Sequence, residues 1–565
     1  MISMPMLSRE SHRLAAEPFD LLVVGGGITG AAIAWDGALR GLRVALVERG
    51  DFGGATTSAT SKLIHGGLRY LKNGELGLVR ESLRERRILQ ALAPHLVRPQ
   101  PFLIPTYRRG NRKSMIRAGM MLYGTLSWDR GRLSDPDQRL PGHRMLSPGE
   151  TLKCEPVIDE AGLTGGAVYY DCRCEPERLC LEFVRAAALA GALALNYCQV
   201  TGIRRAQDRV GPVEVLDRVD GRRYEVRAAA VVNAAGPWAD GLDVLAGLAE
   251  PVALRRSKGI HLVTRALTRE HALVLRTRAG RHFFVIPWRG LSLIGTTDSE
   301  FSDPPDRFSV TDADAAEFLT EVNEALPRAN LRADDIRYRY GGMRPLVEQE
   351  TSVYQASRRY EIVDYRKRGC AGLLSVIGGK YTTSRNLARK VIDRVLAILG
   401  RPAIRCATAE TGLPGTPPEA LERFRRRLLE EFPALDPAAA SRCVDAYGAG
   451  ARAVLDLMAR RTELAEPIGD GGETLAHLEF AVREEAAITL CDALTRRTGI
   501  GNRGGLSEAD LERAAAFMSR LCGWDATRAK TEMEIYREKV SGRPDSPARL
   551  AIEGAVTPPR SSGGC

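Results

Sequence analysis

Residues 19–50, FDLLVVGGGITGAAIAWDGALRGLRVALVERG, constrain this chain more than any other stretch. Residues 21–24 are a continuous apolar run, the pattern of a parallel strand buried on both faces. Gly25, Gly27 and Gly30 then fit G-x-G-x-x-G and open an alanine-rich helix. The first glycine permits a tight turn, the second lets a pyrophosphate approach the backbone, and the third lets the helix pack on the strand. Unpaired N–H groups and the dipole at the helix start favour the phosphates. A second strand ends at Glu48, where a carboxylate can accept hydrogen bonds from both hydroxyls of an adenosine ribose. That acid disfavours a 2′-phosphate and hence NADP. NAD and FAD both remain, because both use this unit.

At 565 residues the chain exceeds one ordinary core, so two or three domains are expected. Lysine plus arginine exceed aspartate plus glutamate by 81 − 70 = 11. The excess suits an anionic partner, whether phosphorylated substrate, acidic lipid or nucleic acid, and equally a mildly basic solvated surface. Eleven cysteines without regular spacing do not form a disulfide framework. Cys154, Cys172, Cys174 and Cys180 cluster without the histidine or CxxC pair of a zinc site, so no metal is expected and the thiols read as reduced, as in cytosol. The first eighteen residues carry Arg9, Glu10, His12, Arg13 and Glu17 and lack a signal peptide's apolar segment. No uncharged run approaches the roughly 20 residues of a spanning helix.

Residues 56–71, TTSATSKLIHGGLRYL, narrow the choice of cofactor. Thr57, Ser58 and Ser61 offer hydroxyls toward a pyrophosphate, and Lys62 leads on toward the expected isoalloxazine. From residue 62 to 71 the stretch resembles, without a break, the FAD-dependent, quinone-linked glycerol-3-phosphate dehydrogenases. VVNAAGPWAD (231–240), FVIPW (284–288), IGTTD (294–298), GGMRPL (341–346) and LLSVIGGKYTTSRNLA (373–388) are similar to further motifs of that family. EPIGD (466–470) and DALTRRTGIG (492–501) resemble its C-terminal helical part. The likeness runs from about Asp20 to about Tyr536.

The resemblance implies FAD as cofactor, with contacts at Val200, Ala235, Gly236, Gly378 and Gly379 besides the residues above. It implies sn-glycerol 3-phosphate as substrate, dihydroxyacetone phosphate as product, and ubiquinone or menaquinone as acceptor. A phosphate dianion calls for arginine, which binds it bidentately and does not deprotonate. Arg69 and Arg344 lie inside family motifs, whereas Arg358, in QASRRY, is interchangeable with its neighbour Arg359 by a one-residue slip. Tyr70 is a further donor to the substrate, with buried packing as the plainer reading. His65 reads as a general base or as a structural histidine beneath the flavin. Lys380 is the second candidate base, or a cation stabilising developing negative charge. Gly378 and Gly379 permit close approach to the ring, and Thr382 and Thr383 open the next helix near it.

The expected fold is α/β: a discontinuous Rossmann-like FAD domain (18–105, 195–240 and 346–400) and an α/β substrate domain with an antiparallel sheet (106–194 and 241–345). A helical cap (418–540) and a mobile tail (541–565) complete it. The linker TGLPGTPPEA precedes the cap, and no EF-hand loop follows it, which favours the bacterial type. YRRGNRKSMIRAGMMLYGTLSW (107–128) puts cations before methionine, leucine, tyrosine and tryptophan. It suits a segment lying on a membrane, or a core helix with a basic first turn. A cytoplasmic protein, peripheral on the inner face of the cytoplasmic membrane, is the expectation. Oligomeric state stays open, a homodimer being one option.

A glycerol-3-phosphate oxidase would share these motifs and pass electrons to oxygen. Other flavin oxidases of amines and hydroxy acids should lack the IHGGLRYL stretch. A flavin-free nucleic-acid binder would explain the charge but leaves the nucleotide motif idle, and no interleaved aromatic–basic platform is evident, so no nucleic acid is expected. One departure stands out: Glu175-Pro176-Glu177 precedes Arg178 where the family usually has paired aspartates.

Overall fold

The structure is a computed structural model, described here for residues 7–108, 111–347 and 360–541. Arg358 and nearly all of the expected tail lie outside the described residues.

Every residue of the strand Phe19–Val24 is buried. It pairs in parallel with Val44–Val47 on one side and Ala228–Asn233 on the other. The six-stranded sheet runs Tyr360–Asp364, Leu373–Gly378, Ala228–Asn233, Phe19–Val24, Val44–Val47, Leu193–Leu195. Only its outer pair, Tyr360–Asp364 with Leu373–Gly378, is antiparallel. The glycine-opened helix Ile28–Leu39 packs between helices Pro176–Leu189 and Ser384–Ile398 on one face. A three-stranded antiparallel sheet, Cys198–Ala206, Arg209–Asp217 and Arg223–Val226, covers the other, and Val213, Val215 and Val231 share its core. The first strand thus sits centrally with neighbours running out on both sides, the arrangement that opens a crevice beyond the carboxyl ends of the strands.

A larger sheet forms the second layer. It is antiparallel except where Ala272–Arg276 runs parallel to Val97–Tyr107. Val97–Tyr107 pairs along its length with Leu163–Cys174, and Leu254–Thr264 with Ile336–Val347. These pairings cut across a partition drawn along the chain. Val97–Tyr107 belongs to this sheet although most of it falls within 18–105. Helix Pro176–Leu189 and the first two residues of strand Leu193–Leu195 belong to the nucleotide side although they fall within 106–194. Strand pairing and helix packing, which join distant segments, set the division.

Residues 421–541 form helices around their own apolar core, with Leu455, Leu478, Leu494 and Met518 fully buried. Their starts are specified locally: Asp436 accepts the Ala439 N–H at 2.8 Å, with Pro437 in the first turn. Charge holds this domain to the rest. The buried Asp51, in the loop after the second strand, accepts Arg497 at 2.5 and 2.8 Å and also pairs with Arg496. Arg178 meets Glu485 at 2.6 Å.

None of the ten described cysteines is in a disulfide. Among the described residues no group of side chains could hold a metal ion, and no helix is long and apolar enough to cross a membrane.

Candidate active site

The nucleotide end is built from backbone. Gly25 has φ +107°, and a Cβ there would lie 2.6 Å from the Ala234 carbonyl oxygen. A Cβ on Gly30 would collide with the Gly25 carbonyl oxygen. Gly27 caps the helix, and the Ile28 N–H of its first turn donates to Thr57 Oγ1 at 3.0 Å. Thr57 therefore stands at the helix start, where phosphates bind. The Glu48 carboxylate accepts Gly26 N–H at 2.7 Å and Gly50 N–H at 2.9 Å. Burial raises its pKa against the opposing pull of those two N–H groups.

From Glu48 a single cavity of about 1790 Å³ extends past Thr57, Ser58, Ser61 and Lys62 to His65, Tyr70, Lys380 and Arg344. Ordinary ligand pockets hold roughly 300–1,000 Å³, so this one suits a dinucleotide and a second small molecule together. Val200, Ala235, Gly236, Gly378, Gly379 and Thr382 also line it. Gly30 does not, serving helix packing instead. Thr383 is buried, with its hydroxyl 3.4 Å from the Lys380 carbonyl. Arg69 lies in the 3₁₀ turn Leu68–Asn73.

The hydroxyls of Ser58 and Ser61 are already engaged. Ser58 Oγ donates to the Ala55 carbonyl at 2.9 Å, and Ser61 Oγ lies 2.9 Å from His261 Nε2. Lys62, in the left-handed region at φ 54°, buries its ammonium against Glu177 at 2.8 and 3.1 Å.

At the far end, the Lys380 ammonium lies 3.7 Å from the centroid of the buried Tyr70 ring and 3.4 Å from Ser82 Oγ. Gly67, at φ +73°, makes this possible, since a Cβ there would collide with the Tyr70 ring. The His65 backbone N–H donates to Thr382 Oγ1 at 3.4 Å, and its ring Nδ1 accepts the Gly67 N–H at 3.1 Å. A neutral imidazole so held carries its proton on Nε2.

Arg344 projects from Ile336–Val347 opposite Ser257. Its Nη2 donates to Thr296 Oγ1 at 2.8 Å, and its Nη1 reaches Ser257 Oγ and Asp298 Oδ1, both at 3.3 Å. Thr296 and Asp298 belong to the IGTTD stretch, which the sequence marked without giving either residue a task. His261 was missed altogether. It is buried and stacked on Tyr340 with centroids 4.8 Å apart, and burial with the nearby Arg344 and Lys62 charges holds its pKa well below the ordinary value. Its only sequence signal is a histidine within an apolar strand, a weak one. The third domain also contributes: Thr495, Arg496, Asn502 and Glu532 line the same cavity.

The Glu175-Pro176-Glu177 departure has a structural role. Burial opposes ionisation of Glu175, but Arg289, Lys62 and Arg442 outweigh it and hold its pKa down at about 2. Glu175 lies 3.4 Å from Arg289 and Glu177 holds Lys62, while Arg178 faces the third domain.

Helix Lys113–Leu126 runs along the cavity, which Met115, Ile116 and Leu122 line. It buries Met120 and Tyr123, yet leaves Met115 58%, Met121 57% and nearby Trp128 57% exposed.

Residues 20–385 match the family model for FAD-dependent oxidoreductases, and residues 406–529 match that for the C-terminal domain of alpha-glycerophosphate oxidase. A glycerol-3-phosphate dehydrogenase of Synechocystis is 37% identical over 92% of this chain and 96% of its own length. An aerobic glycerol-3-phosphate dehydrogenase of Staphylococcus haemolyticus is 32% identical over 88% of this chain and 90% of its own. Among solved structures, the Bacillus halodurans glycerol-3-phosphate dehydrogenase complexed with FAD superposes with a TM-score of 0.77 at 29% identity, covering 94% of this chain and 96% of that one. The glycine cradle, the carboxylate of Glu48 and the long cavity fit FAD, which is the cofactor of this protein. The family models match residues 20–385 and 406–529, the relatives match over nearly their whole length, and the chain belongs to the FAD-dependent glycerol-3-phosphate dehydrogenases.

Proposed function

We propose that the protein oxidises sn-glycerol 3-phosphate to dihydroxyacetone phosphate and passes the electrons to a membrane quinone. The observation that carries this reading is Arg344, a guanidinium braced by Thr296 and Asp298 in the cavity that also holds His65, Tyr70 and Lys380. Bound FAD supplies the acceptor for the hydride that leaves C2. Arg344, with Arg69 and Arg358, binds the phosphate, fixing C2 by contacts remote from the reacting bond. Tyr70 and Lys380 face the substrate oxygens.

The C2 hydroxyl proton has two acceptors, and each must change form before accepting. The Lys380 ammonium sits over the Tyr70 ring in a cation–π contact. His65, with Nδ1 occupied by the Gly67 N–H, presents Nε2–H as a donor. As cations or donors, both stabilise the negative charge that develops on the C2 oxygen.

The exposed face of Lys113–Leu126, with Arg112, Lys113 and Arg117 beside Met115 and Met121, supports peripheral contact with an anionic bilayer, where a quinone resides. The match of residues 406–529 to an oxidase C-terminal domain supports a second reading, in which oxygen is the acceptor. Dye-linked turnover of sn-glycerol 3-phosphate against plain glycerol tests the substrate: equal rates would remove the phosphate site. Stoichiometric peroxide release in air, without quinone or dye, would select the oxidase reading.

A further inference from the structure

The ribose end of the cavity is bridged by three side chains to which neither the cofactor motif nor the proposed reaction gives a task. Arg49 follows Glu48 directly, Trp238 lies on the turn after strand Ala228–Asn233, and Asp306 lies in the 3₁₀ turn Pro305–Arg307. All three line the cavity. The Arg49 guanidinium stacks on Trp238, with Cζ 4.4 Å from the ring centroid. One oxygen of Asp306 accepts from both partners, at 2.5 Å from Arg49 Nη2 and 2.8 Å from Trp238 Nε1. Each member touches the other two, so a closed triangle links the nucleotide sheet's two loops to a loop of the second domain. Its two anchors are fixed from behind. Arg218 donates to the Arg49 carbonyl at 3.1 Å, and Arg256 to the Pro237 carbonyl at 2.8 Å. Asp306 is the most exposed of the three: its side chain is 65% exposed and it comes from a short turn.

We propose that Arg49, Trp238 and Asp306 form a latch across the ribose end of the cavity, and that its opening limits how fast the flavin nucleotide leaves. An exposed ion pair alone contributes little. Here the same carboxylate also accepts an indole N–H, and the guanidinium gains the ring face, so the three contacts break together. The inference rests on FAD as cofactor but not on substrate or acceptor, since it concerns retention alone.

The test is the release rate of FAD from the purified, flavin-loaded protein after dilution, read as the rise in free-flavin fluorescence. Asp306→Ala is expected to release FAD about tenfold faster than the parent, from the combined loss of an ion pair and a hydrogen bond. Trp238→Phe keeps the stack and loses the N–H, and should fall between them. Because the pair is exposed, added sodium chloride should speed release from the parent and leave Asp306→Ala unchanged. Asp306→Asn, checked for a parental melting curve, keeps the test sound if the alanine variant folds poorly. Parental release rates from well-folded Asp306→Ala or Asp306→Asn would overturn the latch. A parent that carries no flavin would overturn the cofactor assignment and the latch with it.

Discussion

Gly259 lies so close to Arg344 on the neighbouring strand that a methyl group at 259 would be 2.7 Å from the guanidinium carbon. The glycine is thus the space into which the arginine folds on its way to Thr296 and Asp298. Arg344→Ala is expected to raise KM for sn-glycerol 3-phosphate by about 10- to 100-fold, the worth of a charge-assisted hydrogen bond, with the flavin spectrum unchanged. Gly259→Ala should raise KM in the same direction by displacing the guanidinium. Steady-state kinetics on both variants check this, and a parental KM in Arg344→Ala would remove that residue from the phosphate site.

Lys380 and Tyr70 make a second pair whose roles kinetics can separate. Lys380→Met removes the ammonium and should lower kcat by about 10²–10⁴, the range for a lost acid–base or charge-stabilising group. Tyr70→Phe keeps the ring under Lys380 and loses only the hydroxyl, so the kcat loss should be smaller. His65→Asn tests the competing proton acceptor. The variant whose kcat–pH profile loses its ascending limb identifies the base.

The ion pairs of Asp51 with Arg496 and Arg497 join the third domain to the loop beside the nucleotide site. Burial opposes ionisation of Asp51, but the two guanidinium charges outweigh it and depress its pKa below the ordinary carboxylate range. A depressed carboxylate contributes stability that is present above the unfolded pKa of about 4 and lost as pH falls toward the folded value. Asp51→Asn leaves buried arginine charge uncompensated and should destabilise by about 3–5 kcal/mol at pH 7. The gap between the melting curves of parent and variant should begin to narrow below about pH 4 and shrink further as pH falls toward the depressed folded value. A constant gap from pH 7 to pH 3 would mean that the charge on Asp51 does not matter.

The exposed methionines of Lys113–Leu126 give a direct membrane test. Met115→Ser with Met121→Ser should reduce co-sedimentation with phosphatidylserine vesicles severalfold, because each buried apolar side chain is worth about 1.5–3 kcal/mol. Arg112→Glu with Arg117→Glu should reduce it too, and high salt should weaken the parent's binding. Equal sedimentation of parent and variants would move the membrane contact elsewhere.

Short-range features were legible in the residue order because their physics is local. A strand buried on both faces, three glycines at fixed spacing and an acid at the end of the next strand form one continuous unit, and the structure shows it with Gly25 and Gly30 where no side chain fits. The stretches around His65 and Lys380, far apart in the chain, line one cavity. What the order of residues did not disclose are partners drawn from distant segments. Nothing near Arg344 in the chain points to Gly259, nothing near Ser61 points to His261, and nothing near Asp51 points to Arg496.

The chain by itself determined that a dinucleotide is held and where its phosphate cradle lies, since those demands fall on neighbouring residues within one strand–turn–helix. Only the tertiary structure decided which hydroxyls and charges are already spoken for, as with Ser61, Lys62 and Glu177, and which domain each segment serves. Hydrogen bonds and ion pairs are settled by proximity in space, and strand pairing brings together residues hundreds of positions apart.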